Sequence, residues 1–180
     1  MNTEALAQAI TEHLFGEDAA NVYAILDGAS VPDLLQNLAT YQPDHECLYR
    51  GELKPDMAHV APYLVCLERD ADFTNWVIEK GWGQHWGIFV ATDADLRVLR
   101  RHFRTFLIVY DPDGKPIYFR YYDPRVLRTY LPTCNAEELK TIFGPVASYI
   151  LEDESPANLR RFQLTSGALQ QQTKPLTQES

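Results

Sequence analysis

The chain has 180 residues, 46% hydrophobic, 12% aromatic and 23% charged. That is enough apolar matter for one folded domain and too much for a disordered or collagen-like protein. Sixteen Lys and Arg against 25 Asp and Glu leave a net charge of −9, which disfavours general binding to nucleic acid or an anionic membrane.

Leu6, Ile10 and Leu14 share one stripe, so the spacing predicts a helix over 3–15, stopped at Gly16-Glu17-Asp18. Val22 to Leu26 is an apolar run of strand length, closed by Asp27-Gly28. Pro32 suits a first helical turn, with Leu34, Leu35 and Leu38 on the buried side. Cys47-Leu48-Tyr49 reads as a short strand, and Val60 to Leu67 as another in which Pro62 demands an edge or opening position. Asp72-Phe73 opens a helix that ends near Gly81, and Trp86 to Ala91 is a strand. Thr92 or Asp93 is expected to cap a helix that turns Leu96, Leu99 and Phe103 inward.

Segments 104–110 and 116–123 flank Asp111-Pro112-Asp113-Gly114, a turn sequence, and predict a β-hairpin. Asn135 with Glu138 three positions on has the pattern of a capping box, ahead of Leu139, Ile142 and Phe143. Residues 146–151 form a last strand. The fold expected is a single α/β domain over 1–162, with a mixed sheet of five to six strands flanked by helices, one hairpin and a short helical C-terminal extension. Residues 163–180 are polar and expected to be disordered. The first residues show no basic n-region, and no stretch approaches the ~18 apolar residues of a membrane span. Three scattered cysteines (Cys47, Cys66, Cys134) fit a reducing compartment, so a cytoplasmic location is expected.

Candidate chemistry is sparse. His45, Cys47, His59 and Cys66 lack the tight pair spacing of structural zinc sites. Cys134 sits at a helix start, but nothing couples it to His85 or His102. Gly81-Trp82-Gly83 is too short for a phosphate loop. Asp111 and Asp113 belong to a turn. No catalytic residue, metal or cofactor is implied. The competing reading is a small-ligand or hydrolytic α/β enzyme with a cleft near Asp27, Trp86 and Asp123.

Charge distribution is more informative. Residues 1–60 hold ten acids and two bases, whereas 97–128 hold eight bases and three acids. Arg97, Arg100, Arg101 and Arg104 crowd one helix with no acid between them. Like charges at that spacing repel, so something acidic must offset them, either this chain or a partner. In Phe119-Arg120-Tyr121-Tyr122-Asp123-Pro124-Arg125, a strand would put Phe119, Tyr121 and Asp123 on one face and Arg120 and Tyr122 on the other. Asp123-Pro124 would end it, with Arg125 folding back onto Asp123. Arginines Arg97, Arg100, Arg101, Arg104, Arg120 and Arg125, with Tyr122 and Asp123, are therefore the candidate partner-binding residues, a composition that protein interfaces favour.

The order of Tyr23-Ala24-Ile25-Leu26-Asp27-Gly28-Ala29, Tyr63-Leu64-Val65, Trp86-Gly87-Ile88-Phe89, Leu96 to Arg104 and Phe119 to Leu127 resembles the effector chaperone and adaptor family of bacterial type VI secretion. The resemblance covers about residues 20–145. It implies a non-enzymatic protein that holds a toxic effector in the cytoplasm and helps load it onto the spike protein of the secretion tube. It carries over no catalytic residue. Many members look longer, with a helical lobe after the α/β part, whereas about 35 residues follow position 145 here.

Overall fold

A computed structural model describes residues 3–16 and 20–176. Strand β1 (Asn21–Asp27) is buried along its length from Val22 onward. Tyr23 and Ile25 point into one core, and Val22, Ala24 and Leu26 into the other. A strand covered on both faces has no polar side, hence its unbroken apolar run.

β1 lies between β3 (Pro62–Leu67) and β4 (Gly87–Thr92), antiparallel to both. β3 and β4 thus run the same way with β1 inserted between them, joined by the crossover helix α4 (Asp72–Gly81). β2 (His45–Cys47) forms the edge beyond β3. Beyond β4 come β7 (Ser148–Glu152), β8 (Asn158–Thr165) and β9 (Ala168–Pro175). The order is β2-β3-β1-β4-β7-β8-β9, and each neighbouring pair is antiparallel.

The expected mixed sheet of five to six strands is therefore corrected to seven strands, all antiparallel. Helix–strand alternation pointed to parallel neighbours because it cannot show that β1 separates the two parallel strands. The helical C-terminal extension is corrected too: residues 158–175 are the hairpin β8–β9. Residues 163–175, read as a disordered tail, complete it, and Leu176 beyond them is buried. Positions 177–180 and the Glu17-Asp18 stop lie outside the described residues.

Helices α1 (Thr3–Leu14), α2 (Leu34–Tyr41) and α4 cover one face, sending Ile10, Leu14, Leu34, Leu38, Phe73 and Val77 into its core. On the other face, α5 (Leu96–Phe103), α6 (Pro124–Tyr130) and α7 (Ala136–Phe143) contribute Leu99, Phe103, Leu127, Leu139 and Phe143. The capping box at Asn135 is present, with Glu138 N–H donating to Asn135 Oδ1 at 3.0 Å and Asn135 N–H to Glu138 Oε2 at 2.8 Å. Asp95, not Thr92 or Asp93, caps α5 by accepting from Val98 N–H at 2.9 Å. Thr92 is buried, and its hydroxyl donates instead to the Pro145 carbonyl at 2.6 Å.

One helix and the hairpin depart from the sequence reading. Pro55–Val60 is α3, with Pro at its first turn, so the strand expected from Val60 begins at Pro62. The predicted hairpin is present but shorter, with β5 (Ile108–Tyr110) paired to β6 (Pro116–Tyr118) in a separate two-stranded sheet. Its turn closes through Asp111, whose carboxylate accepts from Asp113 N–H (3.0 Å) and Lys115 N–H (2.8 Å), and Gly114 takes the positive φ of 77°.

Candidate functional site

Residues 119–123 are not strand. Tyr121, Tyr122 and Asp123 are all buried, so the expected alternation of faces does not occur there. Asp123 instead caps α6, accepting from Arg125 N–H at 2.9 Å with Pro124 at the first turn. The Arg125 guanidinium folds back as expected and grips the same carboxylate, Nε to Oδ1 at 3.0 Å and Nη2 to Oδ2 at 2.7 Å. Burial acts to raise the Asp123 carboxyl. The hydrogen bonds and charge of Arg125, helped by Arg120, outweigh it and hold the group below its ordinary range. Arg120 pairs with Asp27 at the end of β1, a buried carboxylate that also accepts from Ala29 N–H (3.0 Å) and Ser30 Oγ (2.8 Å).

The second group of arginines lies on α5 and divides by direction. Arg104 reaches β2 and the loop after it, donating to the carbonyls of Cys47 (2.8 Å), Tyr49 (3.1 Å) and Leu48 (3.2 Å). Arg100 pairs with Glu46 at 2.9 Å. Arg97 and Arg101 stand on the outward face, exposed, with no ion pair or hydrogen bond among the described residues. Val98 stands exposed with them. Tyr49 links the two groups: its carbonyl is held by Arg104, its ring meets Tyr118 at 5.6 Å, and its hydroxyl meets that of Tyr122. Burial raises the Tyr122 hydroxyl well above its usual value, so Tyr122 is a neutral core contact.

Of the eight candidate residues, then, Arg100, Arg104, Arg120, Tyr122, Asp123 and Arg125 have partners within the fold. Arg97 and Arg101 alone among them have none among the described residues.

The competing reading places a cleft near Asp27, Trp86 and Asp123. Asp27 and Asp123 are both occupied by arginines, and Trp86 packs on Trp76 at 5.0 Å. The cavity between Leu26, Trp86, Gly87 and Glu152 is about 10 Å³, room for no more than a water molecule. Burial pushes the thiols of Cys47, Cys66 and Cys134 up, away from the thiolate that nucleophilic attack needs. Among the described residues no three His, Cys, Asp or Glu side chains are placed to share a metal ion, and no helix is long and apolar enough to cross a membrane.

The sequence pattern of a known family, described as a domain of unknown function (DUF4123), matches residues 22–141. The chain belongs to this family. No curated protein and no solved structure matches it. The family segment runs from β1 into α7 and so contains α5, the hairpin and the Asp123 corner, but not β7, β8 or β9.

Sequence reasoning passed over the other exposed feature of that segment. Ile108, Val109, Tyr110, Ile117 and Tyr118 are all exposed, Tyr110 at 70%. Apolar residues on both sides of a strand normally mean cover on both faces, and among the described residues this hairpin pairs with no other strand. The signal was therefore readable, since Ile108-Val109-Tyr110 does not alternate. Also unforeseen is Glu152 at the end of β7. Its buried carboxylate accepts from the Gly83 and His85 N–H groups and pairs with the His85 ring, fixing the loop after α4. No local motif marks that contact.

Proposed function

We propose that this chain is a cytoplasmic chaperone and adaptor that binds a toxic effector of bacterial type VI secretion and helps load it onto the spike protein. One observation supports the reading most directly. On the outer face of α5, Arg97 and Arg101 flank an exposed Val98, and no carboxylate among the described residues offsets them. Two unpaired arginines beside an exposed apolar side chain, on a body of net charge −9, form a docking patch for an acidic polypeptide surface. Such a patch steers a protein partner on approach while the acidic remainder repels nucleic acid and anionic membrane. The role requires no cofactor, and the reading assigns no catalytic residue. Arg100, Arg104, Arg120 and Arg125 brace the scaffold that presents the patch.

The test is co-purification with a type VI spike protein and with a candidate toxic effector. Wild type should retain one or both. The double variant Arg97→Glu/Arg101→Glu should lose binding by about tenfold or more while its circular dichroism and melting temperature stay as in wild type. Equal retention by the double variant would remove the patch from the interface. Failure of wild type to retain either protein would overturn the adaptor role.

A further inference from the structure

An apolar groove of about 260 Å³ lies between the hairpin and α7. Its floor is Phe106, Phe119, Tyr130 and Ile142, held by ring packing. Phe119 packs edge-on against Tyr130 at 4.7 Å, and Phe106 against the buried Tyr121 at 4.7 Å. One wall is Val109 of β5, exposed to solvent. The other wall is the α7 face carrying Glu137, Glu138 and Thr141. Glu138 is fixed there by the capping box, and both charged residues lining the groove are acidic.

An isolated two-stranded sheet is marginal in water, and this one presents apolar side chains on both faces. The groove beneath is open and falls below the ~300–1,000 Å³ of a small-molecule site, yet it has room for neighbouring apolar side chains of a peptide. We propose that this groove is a second docking site, distinct from the α5 arginine patch, for a polypeptide segment in which adjacent apolar residues are flanked by Lys or Arg. The apolar side chains seat on Phe119 and Tyr130 against Val109, and the cations meet Glu137 and Glu138. A floor already fixed by aromatic packing spares the partner much of the ordering cost of binding. The two sites select opposite charge, so two partners can be held without competing.

The probe is a fluorescent peptide of roughly twelve residues with a Leu-Phe-Leu centre flanked by lysines, alongside its glutamate-flanked twin. Anisotropy on the full chain should show saturable one-to-one binding of the lysine peptide and about tenfold weaker binding of the glutamate peptide. Val109→Asp should abolish binding. Glu137→Arg, an exposed helix position, leaves one cation against Glu138 and should abolish the preference, and Arg97→Glu/Arg101→Glu should leave it unchanged. Equal binding of the two peptides, no binding, or indifference to both groove variants would overturn the proposal. So would a dimer in light scattering that Val109→Asp dissolves, because a second copy would then be the occupant. The peptide readout involves no secretion protein, so its failure and that of the adaptor role are separable.

Discussion

Asp123 shows how a single side chain can serve a helix end and an ion pair at once. It caps α6 through Arg125 N–H and accepts the Arg125 guanidinium on both oxygens. The cap is the larger contribution, because Arg125 is more than half exposed and solvent screens such a pair to at most about 1 kcal/mol. Asp123→Ala should therefore cost about 1–2 kcal/mol in urea unfolding. Asp123→Asn, which keeps an acceptor for the cap, should cost less. The pH dependence has a definite sign. The folded-state carboxyl titrates below its ordinary value, so its stabilisation is fully present above the ordinary ~4 and lost as pH falls through the lower folded value. The gap in stability between wild type and Asp123→Asn should be constant above about pH 5 and should close on further acidification. A gap that persists or widens in acid would show that the charge on Asp123 does not support the fold.

At the scale of elements, the hairpin and the C-terminal strands make opposite predictions. Among the described residues β5 and β6 pair only with each other, and their side chains are exposed. Replacing residues 109–117 by a short Gly/Ser turn should move the melting temperature by no more than about 4 °C, and should lower binding of a hydrophobic dye. β9, by contrast, covers β8, and Leu176 beyond it enters the core against α1, α2 and α4. Truncation after Thr165 should cost about 1.5–3 kcal/mol for Leu176 alone. It would also bare the β8 edge to other chains, so the truncated chain should aggregate in size-exclusion chromatography.

A truncated chain that remained soluble and equally stable would favour the composition-based reading of a polar, disordered tail. That reading failed for a physical reason. An edge strand wet on both faces has no apolar alternation, so Gln170-Gln171-Gln172 looks like a polar tail. The central strands, α1, α4 and the Asn135 capping box were legible because burial and capping write local patterns. The α6 start was also written, as Asp123-Pro124, but the aromatic run before it imitated a strand. The candidate site was legible in composition only. The crowding of arginines on α5 was visible, but which of them turn towards Glu46 and the 47–49 carbonyls depends on where β2 sits. Long-range pairing of that kind leaves no trace in neighbouring residues.

For the molecule as a whole, the governing contrast is between an acidic body and a small basic face. Charge of that kind acts mainly on encounter. It accelerates approach of a complementary partner and leaves the escape rate to the buried contacts. The Debye length shortens from ~30 Å at 0.01 M salt to ~10 Å at 0.1 M and ~3 Å at 1 M. The association rate for a partner of the α5 patch should therefore fall steeply across that range, while its dissociation rate changes little. Arg97→Glu/Arg101→Glu should flatten or invert the salt dependence, because the steering charge then has the sign of the body. Binding in the hairpin groove rests more on apolar burial and should lose less affinity over the same range. Stopped-flow association measured against salt for wild type and both sets of variants checks all three expectations. An association rate indifferent to salt in wild type would mean that Arg97 and Arg101 face solvent in the complex as they do in the free chain.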